Sequence, residues 1–418
     1  MDGCFQCQRI YTGLTGMTGN VSKANGSSRA SDKPKMIAKG LLPVLLVVLT
    51  LFTFIQTGAT DFFKSNFPPV EELTYQRVAF PTAGQILVHL VNGGPESVTI
   101  AQVIIDDAFW EYQATPTVEL ERLDKTILNI PYPWVEGDPL AISVVSSTGL
   151  TFDYEVEVAT QSPQINSTYL GIFTVLGIFV GVIPIFLGFL WLPFLAGITR
   201  DWQDCFLSFT IGLLIFLGID ATQETISLTA QVASAFQGIA IMTLGISGMY
   251  LLLNTVNHLA STRGTNTSEP MKMSLLIALA IGLHNLGEGL IIGSAYAVGQ
   301  VALGTSLVFG FLLHNTTEGI GIVVPVAGSQ IKIRSLIWLG CLAGLPTIAG
   351  MWIGGFSYST TSTVFFLSVG IGAVLQVVSL ISEDITSRSD SGLLKPLNSV
   401  GLLGGLVFMY LTGLLLPA

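Results

Sequence analysis

A polytopic all-α membrane bundle, preceded by a small extracellular all-β domain and an N-terminal hydrophobic segment, is the fold class the sequence predicts. Three observations predict it. Only 11% of the 418 residues are charged while 50% are hydrophobic, against about 25% charged in soluble proteins. The apolar residues gather in long runs, over 37–60 and across most of 166–418. Between those runs, residues 61–165 read as a water-facing domain with strand-like alternation.

Residues 1–36 are rich in Ser, Gly and Thr and carry no periodic apolar face, which reads as a disordered cytoplasmic tail. Cys4 and Cys7 there have metal or redox spacing. No second pair accompanies them, and a structural zinc site needs about four ligands. Lys33, Lys35 and Lys39 flank the apolar run of 37–60, which is a transmembrane anchor or a signal segment. Were Met36 the true start, Thr57-Gly58-Ala59 would serve as a cleavage site. In both cases the positive flank stays cytoplasmic and residue 61 onward lies outside.

Residues 61–165 are expected to form a β-sandwich-like domain. Thr151 to Val158 alternates polar and apolar, as a half-buried strand does. Gln85–Val91, Ser97–Ile105, Thr126–Ile130 and Leu140–Ser146 are further strand candidates, with a turn at Asn92-Gly93-Gly94-Pro95. His89 is expected to pack within its strand. The segment holds fifteen Asp and Glu against four Lys and Arg, about −11, within a chain of formal charge −10. That balance argues against a nucleic-acid partner. It serves solubility or a raised local cation concentration. The segment has no cysteine, so no disulfide framework supports it.

Eight apolar runs follow, at about 167–194, 204–226, 231–256, 272–298, 301–325, 333–355, 361–383 and 395–417. Each can cross a hydrocarbon core of about 30 Å. Counting from outside at residue 166, Arg200, Arg263, Lys272, Lys332, Arg334, Arg388 and Lys395 all fall in cytoplasmic loops. Those are all the Lys and Arg of this region. The positive-inside rule therefore supports the count and leaves the C-terminus outside a multi-pass cell-membrane protein.

The fourth and fifth runs carry His284-Asn285-Leu286-Gly287-Glu288-Gly289 and His314-Asn315-Thr316-Thr317-Glu318-Gly319. His284 lies about 12 residues into its span, roughly 18 Å along a helix, and His314 at similar depth on an antiparallel neighbour. A four-residue spacing puts His and Glu on one helix face. Two imidazoles and two carboxylates then converge at mid-membrane, with the side-chain carbonyls of Asn285 and Asn315 beside them. This set suits Zn²⁺ and, less selectively, Fe²⁺, Mn²⁺ or Co²⁺. Interhelical hydrogen bonding is the plainer explanation. Yet a central charged residue costs about 2.5–3.5 kcal/mol even on the mild insertion scale, and such bonding needs only one small polar group.

On these paired motifs the chain resembles the ZIP family of divalent-metal transporters, over about residues 166–418. The resemblance implies eight spans and a metal centre of His284, Asn285, Glu288, His314, Asn315 and Glu318. It also implies metal entry toward the cytoplasm by sliding of one helix bundle against another, and a homodimer. Three departures stand out. Gly287 and Thr317 replace the motif proline. Thr347 stands where many members carry a span-six glutamate, so one strong metal site is expected rather than two equal ones. The loop before span four offers only His258, which leaves cytoplasmic metal sensing unsupported.

Asp220 and Glu224 share a face of span two and are candidates for an entry path, with Thr347 and Gln376 as further candidates to line it. Glu383 and Asp384 sit at a cytoplasmic end. No Gly-x-x-x-x-Gly-Lys loop is present, which argues against ATP as the driving force. The expected function is therefore transport of a divalent cation, Zn²⁺ first, by a protein that is not an enzyme. The alternative is an intramembrane zinc-dependent hydrolase, which needs an open metal position and a general base. A surface interaction module tethered by the bundle is a third reading, but a tether needs no buried His and Glu.

Overall fold

The computed structural model describes residues 33–57, 70–262, 268–297, 300–388 and 391–414. Cys4, Cys7, Arg263 and the Gly58-Ala59 portion of the cleavage motif lie outside them. The chain divides into two compact units at Pro68 and Pro69. In the first, α1 spans Lys33–Gln56, with Pro43 inside it. It starts earlier than the apolar run, because the lysine-rich flank continues the helix.

The second unit begins with nine strands: β1 (Leu73–Thr82), β2 (Gln85–Asn92), β3 (Val98–Ile105), β4 (Ala108–Trp110), β5 (Gln113–Thr115), β6 (Glu119–Leu120), β7 (Lys125–Ile130), β8 (Leu140–Ser146) and β9 (Thr151–Val156). They form two sheets, ordered β1-β2-β7-β5 and β4-β3-β8-β9, with β6 pairing β3. The inward residues of both sheets, among them Ile86, Val88, Leu90, Val103, Leu128, Ile130 and Ile142, are fully buried in one core. Each such side chain stabilises the fold by about 1.5–3 kcal/mol. Sequence alternation locates β2, β3, β7, β8 and β9 but misses the short β4, β5 and β6 and also β1. That strand breaks register between Tyr75 and Arg77 and again between Ala79 and Thr82, which hides its period of two.

The rest of the chain is helical. The first stretch is interrupted: α2 (Ser167–Gly177), a π turn (Ile178–Val182), α3 (Ile183–Phe189) and α4 (Leu192–Gly197). Then come α5 (Arg200–Thr229), α6 (Gly238–Thr262), α7 (Glu269–Ala297), α8 (Val301–Val323), α9 (Ile333–Ser357), α10 (Thr360–Arg388) and α11 (Pro396–Leu414). Among the described residues seven stretches are long and apolar enough to cross a membrane. α8 is a further helix of 23 residues. The run expected to begin at 231 starts its α-helix only at Gly238. A short 3₁₀ turn, Ser234–Phe236, precedes it and ends at Gln237 in the left-handed region.

Close backbone contacts set how the helices pair. A Cβ on Gly289 of α7 would lie 2.1 Å from the Thr347 carbonyl of α9, and one on Gly350 of α9 would lie 2.1 Å from the Leu286 carbonyl of α7. Small residues let such neighbours approach where lipid supplies no hydrophobic drive. The same kind of seam joins α5 to α11, α3 to α8 and α6 to α10.

The β-domain rests on one end of the bundle. Arg77 Nη1 donates to the Phe356 carbonyl at 2.9 Å. Glu72 accepts from the Ser234 amide at 2.7 Å and from its hydroxyl. At the opposite end Arg388 meets Asp204 at 3.0 Å and Lys395 meets Asp201 at 2.7 Å.

Candidate metal centre

α7 and α8 run antiparallel through the bundle and bring the two motifs together. His284, Asn285, Glu288, His314, Asn315 and Glu318 are all at most 7% exposed. Glu288 is the hub. Its Oε1 lies 2.6 Å from His314 Nε2 and 3.2 Å from His284 Nε2. Its Oε2 accepts from Asn315 Nδ2 at 3.2 Å. One carboxylate thus bonds the imidazoles of both motifs. The ring of Phe311, one turn before His314, lies 5.2 Å from it, centroid to centroid.

Both asparagines are anchored through their amide nitrogens to main-chain carbonyls of neighbouring helices. Asn315 Nδ2 donates to the Val180 carbonyl at 3.0 Å, inside the π turn. π turns leave the regular hydrogen-bond ladder and concentrate at functional sites. Asn285 Nδ2 donates to the Ala343 carbonyl at 3.1 Å, in the turn of α9 that carries Pro346.

The buried acceptors have the opposite character. Asn285 Oδ1, Asn315 Oδ1, both oxygens of Glu318 and Thr347 Oγ1 have no hydrogen-bond partner among the described residues. Unsatisfied buried acceptors cost about 1–3 kcal/mol each, more when charged. A concentration of acceptors beside two imidazoles is the chemistry that takes a cation. Thr347 is fully buried, and a Cβ on Gly181 would lie 2.1 Å from its hydroxyl, so the π turn packs directly on it.

No group of three or more His, Cys, Asp or Glu forms a ready-made metal cage among the described residues. The Glu288 carboxylate is bonded to both imidazoles instead.

Access differs among these residues. His284 and Glu288 line a cavity of about 360 Å³ together with Asp220, Gln223 and Glu224 of α5 and Phe311 of α8. His314, Glu318, Asn285, Asn315 and Thr347 are not in its lining. Gln376 is buried on α10 with Oε1 unpartnered and does not line it either. Gln223 and Phe311 carry no sequence signal, whereas the Val180 and Ala343 carbonyls are main-chain atoms that no residue pattern reports. A second cavity, of about 490 Å³, lies at the far end among Arg200, Lys272, Glu383, Asp384 and Arg388. Between the two, in helix order, Ile211, Leu214, Ile277, Ile281 and Val377 belong to one core cluster and are at most 2% exposed.

No family model matches the chain. A zinc transporter named foi, from Drosophila melanogaster, is 25% identical over 142 residues, which is 33% of this chain and 20% of its own length. The zinc transporter GufA from Myxococcus xanthus is 29% identical over 136 residues, which is 32% of this chain and 52% of its own length. The chain therefore matches only a fifth to about half of each relative. Both relatives are named as transporters and neither as an enzyme. The resemblance to the ZIP family read from the two motifs stands alongside them.

Proposed function

We propose that this chain carries divalent metal cations, Zn²⁺ first, across a membrane through the His284, Asn285, Glu288, His314, Asn315 and Glu318 centre. The observation that carries the reading is Glu288, one buried carboxylate bonded to imidazoles from two different helices, with unpartnered acceptors packed around it. Two nitrogen donors with carboxylate and amide oxygens favour a borderline ion such as Zn²⁺ over Mg²⁺ or Ca²⁺, which prefer all-oxygen sites. Fe²⁺, Mn²⁺ and Co²⁺ are weaker candidates for the same ligands. Glu318, with both oxygens open, is the second carboxylate ligand, and Thr347, a neutral hydroxyl, adds little. One strong site follows.

In this reading α8 is the eighth span, residues 61–165 lie outside, and the C-terminus is outside as well. The cations Arg200, Lys272, Lys332, Arg334, Arg388 and Lys395 all belong to one end of the bundle, which is the cytoplasmic end. The cavity from Asp220 and Glu224 to His284 and Glu288 is then the entry path. The apolar plug of Ile211, Leu214, Ile277, Ile281 and Val377 holds the inner route closed. Passage requires that plug to part, by sliding of α2, α3, α7, α8 and α9 against α5, α6, α10 and α11. Assembly as a homodimer rests on the resemblance alone.

The test is zinc flux into proteoliposomes loaded with a zinc-sensitive dye. Wild type is expected to admit Zn²⁺ faster than empty liposomes, with Glu288→Ala at the background rate. Absence of flux for Zn²⁺, Fe²⁺, Mn²⁺ and Co²⁺ alike would refute transport. Equal flux in Glu288→Ala would instead refute the site.

A further inference from the structure

The β-domain carries a cavity that metal transport does not use. It measures about 640 Å³ and opens where the β3–β4 hairpin faces β5 and β7. Trp110 and Tyr112 line it with Phe109, alongside the amides of Gln102, Gln113 and Asn129. Glu111 is the one charged side chain among its lining residues.

The aromatic wall is held rigidly. Trp110 packs edge-on against Tyr132, ring centroids 4.8 Å apart. The Tyr132 hydroxyl donates to Asp106 Oδ2 at 2.8 Å, and Asp106 Oδ1 accepts from the Ala141 amide at 3.0 Å. Asp106 and Asp107 hold this hairpin in the left-handed region, at φ 47 and 63, which Asp tolerates better than most residues. Tyr112 is fixed in turn by its hydroxyl, which donates to the Ile100 carbonyl at 2.9 Å. Trp110 Nε1 is buried without an acceptor among the described residues. A buried indole N–H ordinarily finds a partner.

The lining narrows the occupant. It contains no Lys or Arg, which argues against phosphates and acidic chains. A single carboxylate is a poor cation site. An apolar tail would leave the exposed Gln102 and Gln113 amides without a role in binding, while Asn129 Oδ1 already accepts from Gln85 Nε2 at 2.9 Å. An added peptide strand needs a long free edge, but β4 and β5 are three residues each. What fits is a neutral molecule with an apolar face for the aromatic rings and a rim of hydroxyl groups. Planar amides serve such a rim with both a donor and an acceptor.

We propose that this cavity binds a neutral saccharide, stacked on Trp110 and hydrogen-bonded through Gln102 and Gln113. The site is independent of the metal centre, so neither reading depends on the other. A volume of this size suits a short oligosaccharide.

The test uses the full chain in nanodiscs. Cellotriose, maltotriose, mannotriose and chitotriose are titrated by calorimetry, and a glycan array widens the search. At least one neutral saccharide is expected to bind. Trp110→Ala should weaken it at least tenfold, and Gln102→Ala or Gln113→Ala several-fold. Both glutamines are exposed and lie outside the core, so unchanged thermal melting of those variants separates lost contacts from lost folding. Trp110→Phe should retain part of the affinity. The proposal fails if no neutral saccharide on the array or in the titrations binds. It also fails if binding survives intact in Trp110→Ala and both glutamine variants, or if a peptide library shows Trp110-dependent binding and saccharides do not.

Discussion

At the scale of single residues, Glu288 and Asn315 have separable roles. Glu288 touches both imidazoles, whereas Asn315 ties Glu288 Oε2 to the π turn at Val180. Loss of a group that orients a ligand typically costs about 10–100-fold in metal affinity. Asn315→Ala is therefore expected to weaken Zn²⁺ binding within that range in a competition titration. Glu288→Ala should abolish measurable binding. If the two variants are equally impaired, the hub assignment is wrong. A second residue-scale expectation concerns His89, whose neighbour across β1 and β2 is Arg77. Burial, and then the nearby Arg77 charge, push its pKa below the ordinary value. The unfolded chain therefore binds this proton more readily than the folded one. Stability from this group is present above about pH 6.5 and is lost as pH falls through that value. His89→Gln should flatten the melting temperature against pH below about 6.5.

At the scale of elements, close backbone packing joins α7, which carries His284 and Glu288, to α9. Gly289→Ala would drive a Cβ into the Thr347 carbonyl, a rigid main-chain atom. Overpacking of this kind costs about 1–3 kcal/mol, so a lowered melting temperature in detergent is expected. Gly248 of α6, with open space where its Cβ would fall, is the control, and Gly248→Ala should leave melting unchanged or raise it. The positions of the apolar stretches were legible from hydropathy because an 18-residue apolar run has few other fates. The break in the first stretch was not. Its π turn is stabilised by Asn315, 135 positions away, and by packing on Thr347. Hydropathy has no access to such partners. The apolar stretch expected at about 231–256 is present as Ser234–Leu259, and only its α-helix starts late, since Gln237 adopts a left-handed backbone before it. In the centre, the pairing of the two motifs was legible from spacing and depth. The sharing of Glu288 between both imidazoles was not, because spacing alone treats the two glutamates as equals.

On the scale of the whole molecule, the β-domain bears on two different groups of helices. Arg77 reaches the end of α9, while Glu72 holds Ser234 between α5 and α6. Arg77 is partly buried and donates to the Phe356 carbonyl, so its removal leaves that carbonyl without this donor. The double variant Arg77→Ala, Glu72→Gln is expected to speed proteolysis at the junction of domain and bundle while the β-domain core stays protected. Unchanged cleavage would show that these contacts do not hold the domain in place. Net charge was readable from composition, but the docking face was not, since it depends on two residues brought against a helix end and a 3₁₀ turn more than 160 positions distant.

The two asparagine anchors have a consequence for how such a chain can diverge. Asn285 and Asn315 bond to the carbonyls of Ala343 and Val180, and every amino acid supplies a carbonyl. Side chains at 180 and 343 are then free to drift, within the space packing allows, while the number of residues around them is not. Val180→Ala should keep the carbonyl in place and leave zinc transport intact, whereas deleting one residue of the π turn should displace the acceptor and silence it. A lineage could rewrite most of its letters here and keep both anchors, provided it never changed the count.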